Sequence, residues 1–268
     1  MNRKIKDKDK RLGLEKLNNQ NYFMKIIEYN NARSLVVEFQ DKYKYKVHAQ
    51  WNNFVFGNIQ NPYAPLVYDV GIKGTKYPIS KNKKLIKEYS LWVGMLERCF
   101  SKKYKEKFPV YKDVTCCDEW LLYENFYEWI HFQENFEKWL DGGYALDKDI
   151  LCKGNRIYSP KTCCLVPAKI NALFTKSDKA RGCLPIGVTY NNRMKKYCAR
   201  VCISKNKNGK KIRRTTGYYP TPEDAFYFGY KPYKEKYIQK VAQEEFDKGN
   251  ITKKCYESMM KYEVEITD

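Results

Sequence analysis

Long apolar runs are missing from this chain of 268 residues. No stretch approaches the roughly 18 apolar residues of a membrane-spanning helix, so no membrane partner is expected. The opening MNRKIKDKDKRLG lacks the apolar segment of a secretory signal, which predicts a cytoplasmic setting. Histidine is scarce, with only His48 and His131. His48 ends a β-patterned stretch and reads as a surface or packing residue. His131, among Trp129 and Phe132, reads as a structural histidine first and a catalytic one second. Ten cysteines occur without a single C-x-x-C pair, as Cys116-Cys117, Cys163-Cys164, Cys198 with Cys202, and isolated positions. Zinc is therefore not expected, and buried reduced thiols are.

Acidic residues are in the minority. Lys and Arg number 51 against 31 Asp and Glu, a formal charge of +20. An excess of that size points to a polyanionic partner, because neutralised phosphates release counterions and supply affinity independent of sequence. Tyr is frequent at 24, and aromatics mixed with cations suit stacking and phosphate contacts, although most must fill the core. The length accommodates two or three small domains, and the oligomeric state is left open, with a monomer slightly favoured.

Within a first domain spanning 1–80, residues 1–11 read as a charged, frayed tail and residues 12–78 have β texture. Residues 22–29 and 34–39 are apolar and β-branched, residues 43–49 alternate with period two, and Asn30-Asn31 and Gln40-Asp41 mark turns. A small β-barrel-like module is expected there. Residues 81–87, KNKKLIK, read as a basic linker into a helical section. Leu91, Trp92, Met95 and Leu96 form one apolar helix face, and a second aromatic helix follows Asp118-Glu119-Trp120. Residues 145–171, ALDKDILCKGNRIYSPKTCCLVPAKIN, read as strand, tight loop, second strand and helix start, within a domain spanning 81–178.

A Lys/Ser linker at 176–181 leads to a third domain, 182–245. GVTYNN, YCARVCI and KKIRRTTGYY give three strands with turns at Asn191-Asn192 and Asn208-Gly209. Thr221-Pro222-Glu223-Asp224 is a helix start, with a hydroxyl N-cap, proline at the first position and acids in the first turn. Ala225, Phe226, Phe228 and Gly229 are expected to pack that helix on the sheet. Residues 182–241 hold 14 Lys and Arg against 3 Asp and Glu. The sheet face away from the helix should therefore carry Arg193, Lys195, Arg200, Lys211 and Arg213, with Arg214 as a further candidate, and a strand ribbon can enter the major groove of double-stranded DNA. Residues 246–268 are expected to form a short helix and tail. The whole predicts a multi-domain α+β chain: β module, helical plus ββα segment, and three-stranded antiparallel sheet on a helix.

Two resemblances rest on these residues. Gly187-Val188, Tyr197-Cys198-Ala199-Arg200-Val201, Gly217-Tyr218-Tyr219 and Thr221-Pro222-Glu223-Asp224-Ala225 resemble the ethylene-response-factor type of DNA-binding domain. This implies a three-stranded sheet backed by one helix that reads DNA from the sheet, with Arg193, Lys195, Arg200 and Arg213 as contacts. Trp92, Met95, Arg98-Cys99 and Asp118-Glu119-Trp120, followed by Leu146-Asp147, Tyr158-Ser159-Pro160, Cys163 and Asn171, are similar to a phage HNH (homing) endonuclease family. If a phage encodes the chain, the setting is the bacterial host cell.

That second resemblance implies a ββα metal site hydrolysing phosphodiester bonds with Mg²⁺ or Mn²⁺. Asp147 and Asn171 take the metal-holding positions, and Asp149 joins them if residues 147 and 149 share a strand face. Lys148 stands where the family has its water-activating histidine, and Thr162 where a structural asparagine is usual. A lysine is ordinarily protonated at neutral pH and serves better as a phosphate clamp than as a base. The expectation is thus an endonuclease with catalytic residues Asp147, Lys148, Asp149 and Asn171 but without the usual general-base histidine. The alternative is a DNA-binding protein of regulatory or accessory role on a degenerate nuclease scaffold.

Overall fold

Alternating apolar residues draw the first four strands together, as seen in a computed structural model that describes residues 10–174, 182–205 and 211–268. The expected linker at 176–181 and the Asn208-Gly209 turn lie outside the described residues, as does most of the charged opening. Strands β1 (Glu15–Leu17), β2 (Phe23–Asn31), β3 (Ser34–Phe39) and β4 (Lys46–Ala49) pair antiparallel in that order. Met24, Ile26 and Tyr29 meet Leu35, Val37 and Phe39 on one face, covered by Phe54 and Ile59. A bulge between Ile26 and Glu28 shifts the alternation, so that Tyr29 rather than Glu28 faces this core. The sheet is open, which corrects the barrel-like expectation. Its outer strands have three and four residues, too short to tilt and bond into a closed cylinder. A short helix, Trp51–Val55, follows where the sequence reads as strand end and loop.

Two compact units make up the chain, Met1–Trp129 and Ile130–Asp268. In the first, the helix Lys87–Phe100 buries Trp92, Met95 and Leu96 of the predicted face together with Cys99, while Leu91 is only half-buried. Trp92 Nε1 donates to the carbonyl of Trp120 at 2.7 Å, which satisfies a buried indole.

The second unit holds the strand Tyr144–Asp147, antiparallel to Cys164–Pro167, and the helix Ala168–Asn171. Then come three antiparallel strands, Val188–Asn191, Lys196–Lys205 and Lys211–Tyr219, in sequential order. A helical run follows through Pro222–Asp224, a π-helical stretch Ala225–Tyr230 and Lys231–Asp247, and the last helix is Lys253–Met260. The chain is α+β. Thr221 Oγ1 accepts from the Asp224 amide at 3.1 Å, as the N-cap reading expects. Ala225, Phe226, Gly229 and Tyr230 are buried, an i, i+1, i+4, i+5 stripe. Phe228 falls off that stripe and is 67% exposed, a correction to its expected packing role. Ile150, Cys164, Val166 and Ile170 share one core with Val188, Ala199, Val201, Phe226, Ile238, Cys255 and Met259. The ββα segment, the basic sheet and the last helix are thus supported by the same apolar interior.

Gly187 is where that interior is tightest. Its φ is +74°, and a Cβ there would lie 2.0 Å from the Tyr230 ring. Gly187→Ala is expected to destabilise the protein by about 1–3 kcal/mol through overpacking. Left-handed strain adds about 1–2 kcal/mol. Gly182→Ala, at φ +66° with open space around it, carries the strain alone. Urea melts of the two variants check the difference.

Candidate functional site

Asp147 ends its strand, paired with Cys164, and is 5% exposed. Its Oδ1 accepts the amides of Asp149 at 2.9 Å and Ile150 at 2.8 Å, closing a turn of the kind aspartate favours. Burial and the neighbouring Asp149 carboxylate push its pKa up to about 6, against the pull of the two amide bonds. The strand stops at Asp147, so residues 147 and 149 do not share a strand face. The turn, rather than the pleat, brings the two carboxylates together.

Lys148 is held in the same loop. Its side chain is 12% exposed, and Nζ donates to Asp149 Oδ2 at 3.1 Å and to the Asn155 carbonyl at 3.2 Å. Asn155 Nδ2 spans the loop, donating to the carbonyls of Lys148 and Ile157 at 2.7 Å each. Thr162 Oγ1 donates to the Ile157 carbonyl at 2.8 Å and meets Ser159 Oγ at 2.8 Å, so the threonine itself ties this loop. Asn155 is the residue the sequence reading missed. Its signal was the Gly154-Asn155 pair, with Gly154 at φ +77°.

Asn171 is the last residue of its helix, which packs on both strands and is pinned where Ala168 N donates to the Gly143 carbonyl at 2.8 Å. Among the described residues, no group of three or more His, Cys, Asp or Glu is placed to hold a metal ion. An ion here would rest on the paired Asp147 and Asp149 oxygens, with amide, carbonyl or water oxygens completing the shell. All-oxygen donors suit Mg²⁺ or Mn²⁺, and a buried carboxylate beside a second one favours a cation, so the donor set fits. Of the two histidines, His48 is exposed on β4, and the His131 ring packs 4.0 Å from that of Phe136. Among the described residues, no helix is long and apolar enough to cross a membrane.

The basic sheet sorts its cations by register. Ala199 and Val201 are buried against the helical run, so Arg200 between them faces outward. Ala199 pairs with Gly217 and Arg200 with Thr215, which leaves Thr216 as an extra, bulged residue. Thr216 Oγ1 donates to the Gly229 carbonyl at 2.6 Å, on the helix side. The bulge inverts the alternation beyond it. Arg213, paired with Cys202, joins Arg200 and Thr215 on the outward face, whereas Arg214, paired with buried Val201, belongs to the opposite face. Thr189 and Tyr218 flank Cys198 in the adjoining outward row.

Arg193 and Lys195 are exposed in the loop between the first two strands, with Lys195 at φ +49°. Lys211 opens the third strand, and its side chain lies outside the described residues. Among the described residues, Arg193, Lys195, Arg200 and Arg213 form no ion pair.

Compared with protein-family models, with curated protein sequences and with solved structures, the chain matches none.

Proposed function

We propose that this protein binds double-stranded DNA through the outward face of the 188–219 sheet and hydrolyses phosphodiester bonds with a divalent ion at Asp147 and Asp149. The observation that carries the binding half is the pair Arg200 and Arg213, exposed on one sheet face without acidic partners among the described residues, with Arg193 and Lys195 exposed in the loop before the second strand. Unpaired guanidinium groups on a twisted ribbon are suited to phosphates and to guanine edges. The hydrolytic half is supported by the buried Asp147 with Asp149 against it. Asp147 and Asp149 would hold the ion with Asn171, and the ion would neutralise charge developing on the phosphate. Lys148, tethered in the same loop, adds positive potential there. Lys148 rather than a histidine follows Asp147 in the chain, so turnover is expected to be slow.

A second reading, a DNA-binding protein on a degenerate nuclease scaffold, is favoured by one observation. Asp147 Oδ1 and the Lys148 ammonium are both engaged within the loop. Supercoiled plasmid incubated with Mg²⁺ or Mn²⁺ separates the two. Nicking that Asp147→Ala abolishes and Lys148→His accelerates is the expected result. Intact plasmid with retarded mobility in every metal would leave only the binding reading.

A further inference from the structure

The stretch 70–87 carries six lysines and no Asp or Glu. Within it, residues 81–87 are not a linker. Ser80–Lys81 and Lys84–Leu85 pair as a two-residue hairpin around Asn82 and Lys83, which have φ of +52° and +62°. The base of the hairpin is anchored: Ile86 N donates to the Ile79 carbonyl at 3.1 Å, and the buried Tyr123 donates its hydroxyl to the Pro78 carbonyl at 3.3 Å. All residues from Ser80 to Leu85 are exposed.

Three local choices work against this hairpin as a folding unit. Lys81 stands directly opposite Lys84, and like charges across a strand pair repel. Lys83 adopts the left-handed conformation at the turn position where glycine is favoured. Among the described residues, none of Lys81, Lys83 and Lys84 has an acidic partner. A sequence selected for stability alone would place a glycine and an acid here. Where local rules are broken together at an exposed, anchored tip, the compensation is sought in a ligand. The ligand that relieves all three is a closely spaced row of negative charge.

We infer that the hairpin at residues 80–85 is a second nucleic-acid contact, in which Lys81, Lys83 and Lys84 bind successive phosphates of duplex DNA. It reads no bases and supplies salt-sensitive affinity. The inference rests on the DNA-binding reading of the chain and adds a contact in its first unit.

The test is binding of a mixed-sequence duplex by the full chain across a salt series. The unmodified protein, Lys81→Thr/Lys83→Gly/Lys84→Thr and Arg200→Ala/Arg213→Ala are compared. Each lost phosphate contact lowers the slope of log K against log salt by about 0.9, so the hairpin variant should lose up to about 2.7. Its affinity should fall roughly tenfold or more at moderate salt, while its Tm is unchanged or higher because the repulsion and strain are gone. An unchanged slope in the hairpin variant, with binding weakened in the sheet variant, overturns this inference and leaves the sheet assignment standing. Failure of the unmodified protein to bind overturns both. A lower Tm in the hairpin variant overturns the conflict argued above. Should the triple variant not fold, Lys84→Thr alone reads a slope change of about 0.9.

Discussion

Arg200→Ala/Arg213→Ala is expected to weaken duplex binding by two orders of magnitude or more. Each arginine that reaches a base edge contributes about 1–3 kcal/mol, and about 1.4 kcal/mol is tenfold in Kd. Where the contact is to phosphate instead, the salt slope should fall by about 0.9 per residue. The informative control is Arg214→Ala. It removes the same charge from the same strand, but the bulge at Thr216 assigns it to the opposite face. A purely electrostatic surface would respond equally to Arg213 and Arg214. A sheet that presents one face to DNA should lose at least tenfold more affinity at Arg213. Equal losses, measured by fluorescence anisotropy at fixed salt, would show that register plays no part. Deleting residues 182–268 is the poorer experiment, because Ile150, Cys164, Val166 and Ile170 share their core with that segment.

At Asp147, two substitutions are expected to separate two jobs. Asp147→Ala removes the acceptor for the Asp149 and Ile150 amides. A buried donor left unpaired costs about 1–3 kcal/mol, so a loss of stability near 2 kcal/mol or more should accompany loss of cleavage. Asp147→Asn keeps an oxygen for those amides and removes the charge that burial and Asp149 disfavour. Its stability without metal should equal or exceed that of the unmodified protein, while nicking is abolished. Mg²⁺ should stabilise the unmodified protein, by about 1.4 kcal/mol at ten times its Kd, and leave Asp147→Asn unmoved. Thermal melts with and without Mg²⁺ read this independently of cleavage. Equal Mg²⁺ responses in both proteins would remove Asp147 from any ion site and leave it the turn alone.

These two sites differ in how they were legible. The helix cap at Thr221, the apolar face carrying Trp92 and Leu96, and the three strands after Val188 depend on neighbouring residues, and local pattern suffices for them. Asp147 could be picked out by its company, an acid closing an apolar strand before a Gly-Asn loop. Its burial and its amide partners could not, since they depend on where the chain turns next. The pairing of residues 147 and 149 was anticipated for the wrong reason, a continuing strand, where a turn does the work. Phe228 shows the same limit. A helical stretch rich in apolar residues does not say which of them faces the sheet once π-helical hydrogen bonding alters the phase.

The sequence by itself determined the α+β class, the cationic excess, and the order of strands and helix start from Val188 to Asp224. Charge and hydrophobic period are properties of short windows, and they survive without knowledge of the fold. Only the tertiary structure decided that the first sheet stays open, that one core supports the ββα segment and the basic sheet, and that Arg213 rather than Arg214 accompanies Arg200. Each of these depends on strand length against closure, on burial shared between distant segments, or on one bulged residue. A single-residue shift in register exchanges the two faces of a strand, and no local pattern records it.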